Sequence, residues 1–206
     1  MKHATLLAFG AAVVAGSALL WAAEVFFRGT AVSAIVLVAI TVVALVTVRP
    51  GWHVRPRRLD GPVLLVFGIL AASAAAGATF LHFVPIEHPY DMPAFDLIGA
   101  LPAIAAITAL EELLFRHAMY RWLESRSGSS RTPVLASALA FGWAHLGLVL
   151  IGESAYTAFH ILQSLYLVWI GLLLGEIRRL TASWPMSWLG HFGYNLIVLV
   201  GLDASE

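Results

Sequence analysis

The chain has 206 residues, 60% of them hydrophobic and 12% charged, a composition outside the range of soluble globular domains. Twelve basic residues balance twelve acidic ones, so no overall charge points to nucleic acid or to an acidic substrate. Cysteine is absent, which excludes disulfides, thiolate metal sites and a cysteine nucleophile and leaves Ser, Thr, His and the carboxylates as candidate chemistry.

A spanning helix needs roughly 20 mostly apolar residues. Seven stretches approach that length, at about 4–27, 30–48, 62–84, 95–121, 132–151, 157–177 and 184–202. The first follows Met1, Lys2 and His3, as a signal peptide would, but its apolar run continues to Phe27, which favours a retained helix. No repeat, low-complexity tract or interdomain linker interrupts the pattern. The expected fold is therefore all-α: a polytopic membrane bundle of about seven helices, with six to eight compatible, forming one domain over 1–206.

Lys and Arg collect on the cytoplasmic side of membrane proteins. An N-terminus inside puts Lys2, Arg49, Arg55, Arg57, Arg58, Arg121, Arg126, Arg131, Arg178 and Arg179 at cytoplasmic ends or loops, and only Arg28 outside. The expected location is thus the cell membrane, multi-pass, with the N-terminus cytoplasmic and the C-terminus outside. The remaining basic residue, Arg116, falls within the bilayer.

Ionisable groups at membrane depth are costly and usually face a protein interior or a water-filled cavity. On the fourth span, "EELLFR" places Glu112 and Arg116 four residues apart, acid before base, the favourable order for a helical ion pair. Glu111 lies about 100° around the helix and stays available. "FGWAH" on the fifth span puts Phe141 and His145 on one face, and "HFGYN" on the seventh does the same for His191 and Asn195.

Depth ties these residues together. Glu111 lies ten residues before Arg121, roughly 15 Å from the cytoplasmic end at 1.5 Å per residue. His145 lies 14 residues after Arg131, roughly 20 Å from the same side, and His191 and Asn195 are roughly 10 to 17 Å deep. Three spans therefore bring Glu, two His and Asn to one middle layer. A carboxylate and an imidazole can deprotonate water between them, and a second imidazole with an amide can donate to a developing oxyanion. That set suffices for hydrolysis of a peptide bond without a covalent intermediate.

The ordered motifs EExxxR, FxxxH and HxxxN resemble the CPBP family, the CAAX protease and bacteriocin-processing enzymes, also described as glutamic-type intramembrane proteases and including the type II CAAX prenyl endopeptidases. The resemblance covers roughly 95–202, the last four spans, while 1–94 carries no motif. It implies that Glu111 and His145 activate water and that His191 and Asn195 form the oxyanion hole; the spacing of Glu112 and Arg116 gives them a supporting role as an ion pair, and Phe141 is expected to pack beside His145 as a wall of the pocket. It implies an intramembrane endopeptidase acting near the C-terminus or membrane anchor of a membrane-associated protein or peptide, with the lipid bilayer as its other partner and no nucleic acid. Compactness favours sorting or peptide processing over cleavage of prenylated CAAX tails.

Other readings compete. A non-catalytic immunity- or binding-type membrane protein would keep the fold without the chemistry. A zinc-dependent protease could use Glu111, His145 and His191 as ligands, but HExxH is absent and three separate helices would have to supply them, so no metal or other cofactor is expected. A proton-coupled transporter lacks the inverted repeat it would need. Ser187 precedes His191 by one turn, yet no dedicated acid partner is evident, so a serine nucleophile is not expected. His160, Gln163 and Ser164 on the sixth span are expected to bond neighbouring helices rather than line a substrate cavity.

Overall fold

The computed structural model describes residues 60–87, 97–151 and 154–203. The expected spans at 4–27 and 30–48, with Lys2, Arg28, Arg49, Arg55, Arg57 and Arg58, lie outside the described residues. Among those described, every regular element is helical, so the all-α class holds.

Helix α1 (Gly61–Phe83) starts where Asp60 accepts a hydrogen bond from the Val63 amide at 3.4 Å, with Pro62 in the first turn, where no amide donor is required. Helix α2 (Leu97–Glu112) passes without a break into a π-helical segment, Leu113–Met119, and then into α3 (Tyr120–Ser127). Helix α4 (Thr132–Leu146) also opens on a proline, Pro133, and is followed by the short α5 (Leu148–Ile151). A 3-10 turn, Ser154–Tyr156, leads into α6 (Thr157–Thr181), and α7 (Trp184–Asp203) completes the order.

Between α6 and α7 the chain reverses within two residues. Ala182 takes a left-handed conformation, φ 55°, and the Thr181 hydroxyl donates to Ile177 O at 2.6 Å and accepts from the Ser183 amide at 3.2 Å. This tight link holds the start of α7 against the end of α6.

Large apolar side chains lie on the outside and several charged ones inside. Leu64, Leu65, Phe83, Leu135, Trp143 and Leu165 are all exposed, whereas Thr108, Glu111, Glu112, Arg116, Ser137 and His191 are buried. The interior is still mostly apolar, but an apolar exterior with a cluster of charged groups inside it is what a lipid solvent selects. By length and apolarity alone, two of the described helices could cross a membrane, Gly61–Phe83 and Ser154–Thr181, and Thr132–Leu146 is apolar but shorter. Two of the seven expected spans lie outside the described residues, and of the other five only these two meet that test. The reason is chemical: the charges at 111, 112 and 116 divide the apolar run that starts α2, and His191, Tyr194 and Asn195 lower the hydropathy of α7.

Backbone contact sets the spacing of α4 and α6. A Cβ on Gly142 would stand 2.4 Å from Val168 Cγ2 and 2.7 Å from the Ser164 carbonyl, and one on Gly171 would stand 2.9 Å from Ala138 Cα. Close approach through small residues compensates for the weak drive that apolar burial supplies inside lipid. Polar bonds fasten the remaining helices. Tyr166 on α6 donates to the Ser73 carbonyl on α1 and Trp169 Nε1 donates to Ser73 Oγ at 3.1 Å. On α7, Trp188 Nε1 is shared between Ala105 O at 3.1 Å and Thr108 Oγ1 at 3.2 Å on α2. The ends of α2, α4 and α7 are thereby held around one interior point.

Candidate active site

At that point Glu111 and Glu112 close α2 just before the helix widens. Both are buried, and the guanidinium of Arg116, within the π segment, is wholly shielded. Its Nη1 lies 3.2 Å from Glu112 Oε1, and its Nη2 donates to the Gly171 carbonyl of α6 at 3.2 Å. Nη1 meets the carboxylate at ion-pair distance without hydrogen-bond alignment, and Nε has no hydrogen-bond partner among the described residues. The charge also lies 4.4 Å from the centroid of the Phe141 ring, a cation–π contact in a dry setting. The carbonyl of Arg116 accepts from Arg178 Nε at 3.1 Å.

Phe141 is the hub of the cluster rather than one of its walls. Its ring stands edge-on to His145 at 4.8 Å, to His191 at 5.4 Å and to Phe115 at 5.4 Å between centroids. Its carbonyl lies 2.9 Å from His145 Nδ1. A carbonyl can only accept, so Nδ1 of His145 carries a hydrogen and Nε2 presents its lone pair in the neutral ring.

A second carboxylate fixes the other imidazole. Glu112 Oε1 lies 3.1 Å from His191 Nδ1, and Glu112 Oε2 accepts from the Ser187 hydroxyl at 2.6 Å. A carboxylate already facing a guanidinium acts as an acceptor, which assigns the hydrogen to Nδ1 of His191 as well. Both Nε2 atoms then face Glu111: His145 Nε2 lies 3.8 Å from Oε1 and His191 Nε2 3.6 Å from Oε2. These separations are too long for direct hydrogen bonds and suit a bridging water.

The sequence-predicted residues thus sort into groups. Glu111, His145 and His191 converge. Glu112 and Arg116 pair and brace them, with Phe141 between. Asn195 lies one turn beyond His191 on α7 and is half-buried, and its side chain makes no hydrogen bond among the described residues. Two expectations change. Ser187, thought to lack an acid partner, has one in Glu112; but it is wholly buried, out of reach of a substrate, and that carboxylate is already engaged by Arg116 and His191 rather than free to act as a base. His160 and Ser164 were expected to bond other helices, yet His160 Nε2 and Ser164 Oγ are buried without a hydrogen-bond partner among the described residues, and His160 Nδ1 meets only Gln163 of its own helix, at 3.5 Å.

Among the described residues no group of three or more His, Asp or Glu side chains is arranged to hold a metal ion. A cavity of about 530 Å³ lies between α1 and α7, lined by Ala75, Ala78, Thr79, His82, Leu196 and Val200. It begins one residue beyond Asn195 and does not include Glu111, His145 or His191.

The family described as type II CAAX prenyl endopeptidase Rce1-like matches residues 93–197. No curated protein and no solved structure matches the chain. Because that match spans half of the sequence and takes in every member of the acid–imidazole cluster, the chain belongs to the Rce1-like family of membrane-embedded CAAX-type proteases.

Proposed function

We propose that this protein hydrolyses a peptide bond within the bilayer, near the C-terminus of a membrane-associated protein or peptide, using water activated between Glu111 and His145. The observation that carries this reading is the Glu111 carboxylate facing two imidazole Nε2 atoms at 3.6 and 3.8 Å. A water bound there loses a proton to the Glu111 carboxylate as its oxygen attacks the carbonyl carbon. The tetrahedral intermediate collapses by breaking the C–N bond, and the proton held on Glu111 passes to the departing amine.

His191 and Asn195 serve the oxyanion. The resting His191 is neutral, with Nδ1–H directed at Glu112; it becomes a donor at Nε2 when it takes up a proton from solvent, a charge that the Glu112 carboxylate offsets. The amide of Asn195, one turn further along α7, is the second donor. Zinc is not needed for this sequence of steps.

Compactness alone favoured sorting or peptide processing; the family match moves the preference to a CAAX-type C-terminal tail. The apolar cavity between α1 and α7 is compatible with a lipidated substrate, since it offers an acyl or prenyl chain a place on the same helix that carries His191. A non-catalytic member of the same fold would keep the cluster without cutting anything. The two readings separate when membrane-protein C-termini are compared in cells carrying the wild type, Glu111→Gln and His145→Ala. Trimmed termini in the wild type alone, with at least about a hundredfold loss in each variant, are expected; identical termini in all three would sink the proposal.

A further inference from the structure

Ser187 contributes to the cluster without being able to meet a substrate. Its side chain is wholly buried, and its hydroxyl is within reach of two acceptors, Glu112 Oε2 at 2.6 Å and the Leu174 carbonyl at 3.0 Å. It has one proton. A carboxylate is the stronger acceptor and the shorter distance belongs to it, so the proton goes to Glu112.

The consequence follows from helix geometry. Ser187 and His191 are one turn apart on α7, and Glu112 reaches across from α2 so that Oε2 takes the serine and Oε1 takes His191 Nδ1. Both oxygens of one carboxylate are therefore used across a single turn of α7. Arg116 also approaches Oε1, from the α2 side, so without Ser187 the carboxylate would be free to rotate toward the guanidinium and release the imidazole.

We infer that Ser187 is a positioning residue: it locks the Glu112 carboxylate in the orientation that holds the hydrogen of His191 on Nδ1 and turns Nε2 toward Glu111. Resting on the hydrolytic reading, this role adds a residue outside the three motifs. The sequence Ser187, Glu112, His191, Glu111 forms one chain of contacts, in which the serine acts only through the carboxylate.

The test uses the full-length protein in detergent with ¹⁵N-labelled histidine, and the His191 resonances are identified by their loss in His191→Gln. In the wild type, Nδ1 of His191 is expected to carry a hydrogen. In Ser187→Ala that signature is expected to give way to a mixture of tautomers, while trimming of C-termini in cells slows about 10- to 100-fold, the range typical when a partner that fixes an imidazole tautomer at a metal site is removed. Ser187→Thr, which keeps the hydroxyl, is expected to restore both, and Ser187→Cys is the near-isosteric second variant should the alanine protein not accumulate. A serine that merely fastens α7 to α6 through Leu174 would lower the unfolding temperature and leave the His191 signature and the trimming rate unchanged, and that result would overturn the inference. So would a wild-type His191 with its hydrogen on Nε2 alone. Because the spectrum does not depend on turnover, an inactive wild type with the expected tautomer would count against hydrolysis and leave the role of Ser187 standing.

Discussion

Glu112 and Arg116 are the most deeply shielded charges in the described part of the chain, with neither side chain exposed. Desolvating such a pair is costly, and removing one partner costs more than removing both, because it leaves a buried charge uncompensated. Arg116→Met is therefore expected to destabilise the protein by about 3–5 kcal/mol, on the scale measured for broken buried pairs, and Glu112→Gln added to it is expected to recover part of that loss. Thermal unfolding in detergent micelles checks both; a double variant less stable than Arg116→Met would contradict the pairing. This much was legible from the four-residue spacing of EExxxR, and the meeting of Glu111 with His145 and His191 from their common depth. The part played by Ser187 was not legible. Its partner is 75 residues away in sequence, and the contact depends on the two-residue reversal at Ala182 that sets α7 against α6.

At the scale of elements, the sequence reads 95–121 as one continuous span, whereas the structure interrupts it with seven residues of π-helix beginning just after Glu112. The wider turn carries Arg116 between α6 and Phe141, where it bonds the Gly171 carbonyl. Such π segments recur at functional sites, and hydrophobic periodicity does not reveal them because every residue from 113 to 115 is apolar in either geometry. Gly142 marks a second feature that composition hides. It lies one turn before His145, pressed against α6, so Gly142→Val would force the helices apart. Its added Cβ would stand 2.4 Å from Val168 Cγ2 and 2.7 Å from a backbone carbonyl that cannot move alone. The expected penalty is about 1–3 kcal/mol or more, with loss of trimming as His145 is displaced from Glu111. Gly68→Ala on α1, where an added Cβ meets nothing within 4 Å, is the control and is expected to leave both stability and trimming close to wild type. Equal effects at the two glycines would show that helix spacing does not position the site.

For the whole molecule, the exposed leucines and tryptophan around a charged interior make the bilayer part of the fold, and the arrangement of basic residues then proposes which way the bundle faces. Arg121, Arg126 and Arg131 cluster where α3 turns into α4, while the opposite end of α4 and α5 leads to Ser154 with no basic residue nearby. On the positive-inside rule the first end is cytoplasmic and the second faces out. Absence of cysteine makes this directly measurable, since every thiol in a single-cysteine variant is one that was introduced. Ser130→Cys and Ser154→Cys both replace exposed serines in connecting segments. In intact cells a membrane-impermeant maleimide is expected to label Ser154→Cys and to reach Ser130→Cys only after the membrane is opened. The reverse pattern would invert the bundle, and labelling of both in intact cells would mean that α4 with α5 does not cross the membrane. The outcome bears on chemistry as well as topology. With the expected orientation, the lone-pair nitrogens that face Glu111 lie roughly 10 to 20 Å from the cytoplasmic surface by the rise of the helices that carry them, so the peptide bond to be cut must enter the bilayer to reach them.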